Sequence, residues 1–399
     1  MNKKITLGAA VSLIAIASAI TFILTWTFSL DVYNDKIANV NERAEIYRKL
    51  NEIDNYVSTN FLGSVDRQDI LDAVSDGYVS ILNDNYAHYN TAEENQKNSD
   101  RQNGYLVGIG ITATQDESGY IYIDSVTPNS PASKMSIQPG ELIVAVNGAS
   151  VISAGYTESI NSISGDVGKS VTLTIRKDGT DSDVMLTIEE IEIISVTSEI
   201  IGEIGYIKIT SFNSKTPAQF KNAIVSLQDQ GAKALVFDLR NNGGGLLNPT
   251  IEMLDMLLPE GDIATSTDKN GTVSVIGTSD AAEISMPMTV IVNSRTASAA
   301  ELFAAALRDY EKAQLVGTTT YGKGVMQNTY ELLDGSSITF TTATFKTTVT
   351  PNFNGIGLKP NYEVSMSNDT EADLKLLDET TDLQLKKALD IMKTTIQSE

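Results

Sequence analysis

The run Ala234-Leu235-Val236-Phe237-Asp238-Leu239 holds one charge and no polar alternation. A strand with one face in water alternates apolar and polar residues. A strand covered on both faces does not, so this run calls for a buried parallel sheet. Gly205-Tyr206-Ile207-Lys208-Ile209 precedes it as a strand, and Met288-Thr289-Val290-Ile291-Val292 follows as the next. Helical stretches lie between them. One is expected to be capped by Thr216, with Pro217 at its first position and Gly231 as its stop. Another starts near Leu246, after the turn Asn241-Asn242-Gly243-Gly244-Gly245, and a third runs from Ser298 to about Arg308. This alternation specifies an α/β core. Residues 328–333 and 336–345 flank Asp334-Gly335 as a hairpin, and an amphipathic helical tail is expected from Glu371 to Ile396.

The 399 residues allow about two or three domains. Lys3 and Lys4 precede 26 uncharged residues, Ile5 to Leu30, which Asp31 ends. Spanning a bilayer takes about 20 apolar residues, whereas a secretory apolar region has about 7–15. The run therefore reads as one uncleaved transmembrane helix with Trp26 near its outer end. Ala17-Ser18-Ala19 imitates a cleavage site inside the run, so the alternative is a protein secreted after signal cleavage. Lysines before the span and acids after it orient the N-terminus to the cytoplasm and the bulk outside, as a single-pass cell-membrane protein.

Residues 35–98 read as helices. Ile37, Val40, Ala44, Tyr47, Leu50, Ile53 and Val57 form an apolar stripe. Asp66 suits the N-cap of a second helix carrying Ile70, Val74, Val79 and Leu82. His88 falls in a polar, turn-like stretch, and the polar run Glu93 to Asn103 suits a linker. The expected organisation is 1–34 as cytoplasmic stub and anchor, 35–103 as helical region, 104–190 as a β-rich domain, 191–365 as α/β core and 366–399 as helical tail.

Composition removes several chemistries. There is no cysteine, which excludes thiol catalysis, disulfides and thiolate zinc sites. His88 is the one histidine, so a His-rich metal site cannot be built, and no metal is expected. Acidic residues outnumber basic ones 51 to 29, a net charge of -22 that repels phosphate backbones and makes nucleic acid an unsuitable partner. Gly317 to Lys323 fits most of a phosphate-loop spacing, but Gly324 stands where a magnesium-binding Ser or Thr belongs. No cofactor is expected.

Thr296-Ala297-Ser298-Ala299-Ala300-Glu301 admits two readings. Ser298 and Glu301 have the spacing of a capping box. A serine at a strand-to-helix junction also presents its hydroxyl beside free backbone N–H groups at the positive end of a helix, where an oxyanion could be stabilised. The glycine run 243–245 ends another apolar strand at a comparable place, so both segments are expected to face one crevice. A serine needs a base to become a nucleophile. The one histidine lies in another expected domain. Lys323 sits between Gly322 and Gly324 among few charges, and a lysine can serve if burial lowers its pKa.

Tyr105 to Ile188 turns to short β runs, with Gly108-Ile109-Gly110 before a strand, Pro139-Gly140 before Glu141, and Val146-Asn147-Gly148. This stretch resembles a PDZ domain. The resemblance implies that backbone N–H groups of Gly108, Ile109 and Gly110 take a peptide's terminal carboxylate while the peptide adds as a strand.

Past the anchor, the chain resembles the C-terminal processing peptidases, or tail-specific proteases. The resemblance rests on Gly205-Tyr206-Ile207 to Ser211-Phe212, Asp238-Leu239-Arg240-Asn241-Asn242, Thr296 to Glu301, and Gly322-Lys323-Gly324 followed by Gln327. It implies an α/β core of the crotonase/ClpP-like type with an inserted-type PDZ domain and a Ser-Lys dyad. Ser298 would be the nucleophile, Lys323 the general base, and Gln327 a residue that orients the lysine. Backbone N–H groups of Gly244 and Ala299 would form the oxyanion hole. Expected partners are proteins or peptides with accessible C-termini, and a homo-oligomer is left open. The family usually has proline where Gly243 stands, an Arg-Gly pair where Ser164-Gly165 stands, and Asp where Asn361 stands. The rival reading is a non-catalytic PDZ adaptor on a dead protease core.

Overall fold

The structure, a computed structural model, describes residues 7–36, 40–367 and 381–398. Lys3, Lys4, Ile5, Ile37 and residues 371–380, on which expectations fell, lie outside the described residues. The chain divides into two units, Met1–Leu71 and Asp72–Glu399.

The first unit holds the helix Leu7–Lys36, 30 residues long, or about 45 Å at 1.5 Å per residue. Its stretch Ala10–Thr27 is long and apolar enough to cross a membrane, and Phe22 and Trp26 on it are exposed. The helix Val40–Asn60 carries the expected stripe, with Tyr47, Ile53 and Val57 exposed. Asp66 precedes the helix Arg67–Ser80 and accepts the Gln68 N–H at 2.7 Å, as its capping role requires.

In the second unit the core sheet has six strands, in the order Val196–Ile201, Ile204–Ile209, Ala234–Asp238, Met288–Val292, Ala313–Gly317 and Tyr362–Glu363. The first pair is antiparallel and the rest run parallel. Every residue of Ala234–Asp238 and of Met288–Val292 is buried, because helices cover both faces. On one face Phe220 of the helix Thr216–Asp229 and Phe303 of the helix Ala299–Asp309 pack on Phe237 at 5.6 Å between ring centroids. On the other, Leu385, Ala388, Leu389 and Met392 of the helix Leu383–Ser398 cover Ala234, Val236, Ile291 and Val316.

A buried ionic cluster fastens that last helix. Arg240 is 2 % exposed and forks onto both Asp238 oxygens, while its Nη1 reaches Asp382 at 2.7 Å. Asp382 in turn accepts the N–H groups of Gln384 and Leu385 at the start of the helix. The Tyr206 hydroxyl donates to Asp238 at 2.6 Å. Complete burial acts to raise the Asp238 carboxyl, but Arg240 and these hydrogen bonds outweigh it and hold the group below its ordinary value.

A second sheet joins His88–Asn90, Ser337–Thr347, Gly261–Asp268 and Val273–Ser279, with Val325–Glu331 paired to Ser337–Thr347 as the expected hairpin. The β-rich domain has its own core around Ile121, Ile143 and Leu173. Its sheet runs Ile111–Gln115, Ile121–Val126, Leu142–Val146, Ser170–Lys177 and Thr180–Thr187. The ribbon Tyr105–Gly108 with Glu189–Glu192 carries the chain into and out of it.

Three expectations are corrected. The polar run Glu93 to Asn103 is not a linker but the helix Ala92–Gln102 with its C-cap. Thr91 and Glu94 cap it reciprocally, at 3.3 and 2.9 Å, and Lys97 pairs with Glu93 one turn back. The helix is also tied to distant chain, since Asn95 donates to the Gly335 carbonyl and Ser214 N–H to that of Gln102. His88 is exposed but lies in an edge strand, paired with Thr339. Thr216 is the first residue of its helix rather than its cap, and its hydroxyl accepts the Asn213 N–H.

Removing one partner of a buried ion pair leaves the other charge unpaired, at a cost of about 3–5 kcal/mol. Arg240→Ala should lower the unfolding free energy by about that amount in denaturant titration; a change below about 1 kcal/mol would contradict the structural role given to the cluster.

Candidate active site

Three loops meet beyond the carboxyl ends of the parallel strands, where α/β sheets leave a crevice. The first follows Ala234–Asp238. Asn242 is fully buried, and its Nδ2 donates to the Ile209 carbonyl at 2.9 Å. Its own carbonyl accepts the Ala297 N–H at 3.0 Å. Asn241 N–H donates to Asn293 Oδ1, and Asn293 Nδ2 returns a bond to Asn241 Oδ1. The Thr296 hydroxyl donates to the Leu239 carbonyl at 2.8 Å. These asparagines thus bind the ends of three strands together, which gives the Asp-Leu-Arg-Asn-Asn motif a physical reason.

The glycines then turn under Ser298. Gly245, at φ 148°, passes so close to Phe212 that a Cβ would stand 2.2 Å from its carbonyl oxygen. Phe212 N–H bonds the Gly244 carbonyl and Leu246 N–H bonds the Phe212 carbonyl. Those bonds hold the loop without the family's usual proline.

Ser298 stands at φ 57°, ψ -118°, a region that L-residues rarely occupy, directly before the helix Ala299–Asp309. Its N–H donates to Glu301 Oε2 at 2.8 Å, so the glutamate half of the capping box is closed. The serine side chain faces the Glu301 N–H in the capping-box arrangement, without a cap hydrogen bond of its own. Glu301 is fully buried and does more than cap. Oε2 also accepts the Lys323 N–H at 2.8 Å, while Oε1 accepts the Gly322 N–H at 2.7 Å and the Thr320 hydroxyl at 2.5 Å. One carboxylate therefore joins the serine segment to the lysine segment.

Lys323 is half-buried, and its Nζ lies 4.3 Å from the centroid of the Tyr86 ring. Burial lowers its pKa from the ordinary lysine value, and the Asp84 carboxylate acts against that shift. Gln327 Nε2 donates to Thr341 Oγ1 at 3.1 Å, and Thr341 donates from N–H and hydroxyl to Asp84 at 2.7 and 3.1 Å. Gln327 thus bonds Thr341, not the lysine. Gly244 N–H is committed to Asn242 Oδ1 at 2.8 Å, whereas Ala299 opens its helix, where an N–H has no intrahelical partner.

Ser298, Ala299, Lys323 and Gln327 line one cavity of about 640 Å³, with Gly243 and Gly245. Its apolar wall includes Leu246, Leu302, Met326 and Phe345. Glu301 in its second role, Asp84, Tyr86 and Thr341 were missed from sequence. Only Glu301 left a signal there, the capping spacing. No group of metal-ligating side chains occurs among the described residues.

In the β-rich domain Gly108 ends the strand Tyr105–Gly108, and Ile109 and Gly110 connect it to Ile111–Gln115. The Ile109 and Gly110 carbonyls accept the Ala132 and Thr127 N–H groups, which turns the loop's backbone. Gly110, at φ 81°, abuts Ser130, where a Cβ would stand 2.1 Å from the serine Cβ. The next strand, Ile111–Gln115, is the sheet's edge, with its outer side open to an added strand. The Tyr156 hydroxyl already reaches that edge and donates to the Ala113 carbonyl at 3.2 Å.

The family model for peptidase family S41 matches residues 203–364, and that for the PDZ domain matches residues 97–176. The chain is 31% identical over 353 residues to a protein named "Probable CtpA-like serine protease" of Staphylococcus aureus (strain COL), covering 86% of this chain and 71% of that one. A protein of the same name from Staphylococcus epidermidis (strain ATCC 12228 / FDA PCI 1200) is 30% identical over 349 residues, covering 87% and 71%. A solved structure named as an S41 protease of Bacteroides fragilis NCTC 9343 is 19% identical, covers 84% of this chain and 93% of that one, and has a TM-score of 0.52, a likeness of fold. The chain belongs to peptidase family S41, as a serine protease with a PDZ domain.

Proposed function

We propose that the protein is a membrane-anchored serine endopeptidase acting outside the cytoplasm, with Ser298 as nucleophile and Lys323 as general base. The observation that carries this reading is the Glu301 carboxylate, which binds the backbone N–H of both residues. Ser298 Oγ attacks the scissile carbonyl carbon and its proton passes to the Lys323 amine. The resulting ammonium then protonates the leaving amine, and water, deprotonated by the same lysine, releases the acyl group. Burial favours the neutral amine that the first step needs, while the Tyr86 ring and Asp84 favour the ammonium that follows.

Ala299 N–H faces the developing oxyanion, and Gly244 N–H joins it on release from Asn242. Gln327, on Thr341 at rest, orients the lysine once substrate enters. Substrates are proteins with accessible C-termini, whose tails add along Ile111–Gln115 with the carboxylate at Gly108–Gly110. The apolar helix Leu7–Lys36 supports the anchor, and the exposed stripe on Val40–Asn60 supports a homo-oligomer. A dead core serving a PDZ adaptor is disfavoured by the intact set Ser298, Lys323 and Gln327, which lines one cavity.

Ser298→Ala should lower turnover of an unfolded protein by roughly 10⁴-fold or more, while its unfolding free energy changes by less than about 1 kcal/mol. Parent-level turnover by the variant would remove Ser298 from the chemistry. The pH profile of kcat/KM gives a second test. The protonated amine cannot accept the serine proton, so activity should fall as pH drops through the Lys323 pKa, with a midpoint below the ordinary lysine value of about 10.4. Lys323→Arg keeps the charge but cannot deprotonate, and should be inactive at every pH; an active arginine variant would exclude the base.

A further inference from the structure

The cleft carries donors that the peptidase chemistry leaves unused. Asn213, just after Ser211-Phe212, is 4% exposed. Its Oδ1 accepts the Lys215 N–H at 2.8 Å, which fixes the amide's orientation, because an Nδ2 placed there would meet another donor. The Nδ2 is the remaining end. It is buried and no acceptor reaches it. Buried donors are nearly always satisfied, and Asn213 lines the cleft, so its unpaired donor marks a place for a ligand oxygen at that wall.

Asn213 lines the cleft together with Arg101 and Gln102, from the end of the helix Ala92–Gln102. The Gln102 carbonyl accepts the Ser214 N–H at 2.9 Å, which holds the two segments side by side. Arg101 is exposed and enters no ion pair among the described residues. Among the described residues no carboxylate lines this cleft, although the chain's net charge is -22, and Arg101 and Lys323 are the charged residues that do. A guanidinium and an amide N–H lining one cleft offer charge-assisted donation, the chemistry that selects a carboxylate.

We infer that Arg101 and Asn213 form a carboxylate-binding subsite of the cleft, for a carboxylate carried by the peptide substrate. The inference rests on reading this cleft as the peptidase site. Two sources share the chemistry, the peptide's free C-terminus and an Asp or Glu side chain. If the terminus sits here, the distance from Arg101 to Ser298 sets how far from its end a tail is cut.

The test uses the full chain carrying Ser298→Ala, so that binding is read without turnover. Fluorescence anisotropy measures labelled Ala/Leu/Ser peptides in two matched pairs, free acid against C-terminal amide, and internal Glu against Gln. Adding Arg101→Gln should weaken one pair's charged member about 5–20-fold more than its neutral member. The acid–amide pair answering identifies the terminus; the Glu–Gln pair answering identifies the side chain. Asn213→Asp keeps Oδ1 on Lys215 but turns the free donor into an acceptor, and should weaken the same charged peptide more strongly, with an unchanged melting temperature as the check on folding. An acid preference that neither substitution alters would mean capture by Gly108–Gly110 alone and would overturn the inference. Failure of the peptidase reading is separately visible, as an Arg101-dependent preference in a protein whose intact Ser298 form cleaves nothing.

Discussion

The Glu301 carboxylate is the interaction on which the cleft depends. It is fully buried and collects four donors, from Ser298, Lys323, Gly322 and Thr320. A buried charge without partners is costly, and a hydrogen bond to a charged group contributes about 1.5–3 kcal/mol. Glutamate here is stable only when both loops close on it, and each loop is ordered only by closing. That reciprocity holds Ser298 at φ 57°, a strained backbone that persists only where the surroundings over-determine it.

The sheet beneath makes such closure affordable in entropy. Strands buried on both faces end together, and Asn241, Asn242 and Asn293 bind those ends before any loop begins. The Arg240 cluster draws the C-terminal helix over the sheet's other face, so residues 381–398 complete a core begun near residue 204. The turn Asp84 to Tyr86 reaches the same region from far upstream. It brings a carboxylate to Thr341 and a ring to the Lys323 ammonium. Burial lowers the lysine's proton affinity, and Asp84, from a segment outside the α/β core, opposes that shift.

What could be read in the sequence was local or periodic. Ala234–Asp238 announced a two-sided sheet through its lack of alternation, and Asp334-Gly335 announced its hairpin. The helix Ala92–Gln102 was misread because it is polar along its whole length, although Thr91 and Glu94 stood at capping-box spacing. Asp84 and Tyr86 were not legible, because their partners Thr341 and Lys323 are more than 230 residues away and no spacing rule links them. Nor could sequence show that Gly244 N–H is taken by Asn242, since the bond depends on a loop's three-dimensional turn. Glu301 was visible as a cap, and its hold on the lysine loop was not.

The direct test of this account is Glu301→Gln. Glutamine keeps the size and one acceptor oxygen but places a donor against the N–H groups of either Ser298 and Lys323 or Gly322. Ser298 and Lys323 should both be displaced, and in the proposed dyad a shift of about 1 Å costs roughly 10²-fold. The account predicts a fall in kcat/KM of about that size, carried by kcat, in a protein that remains folded by circular dichroism. A folded Glu301→Gln protein with parental kcat would contradict it.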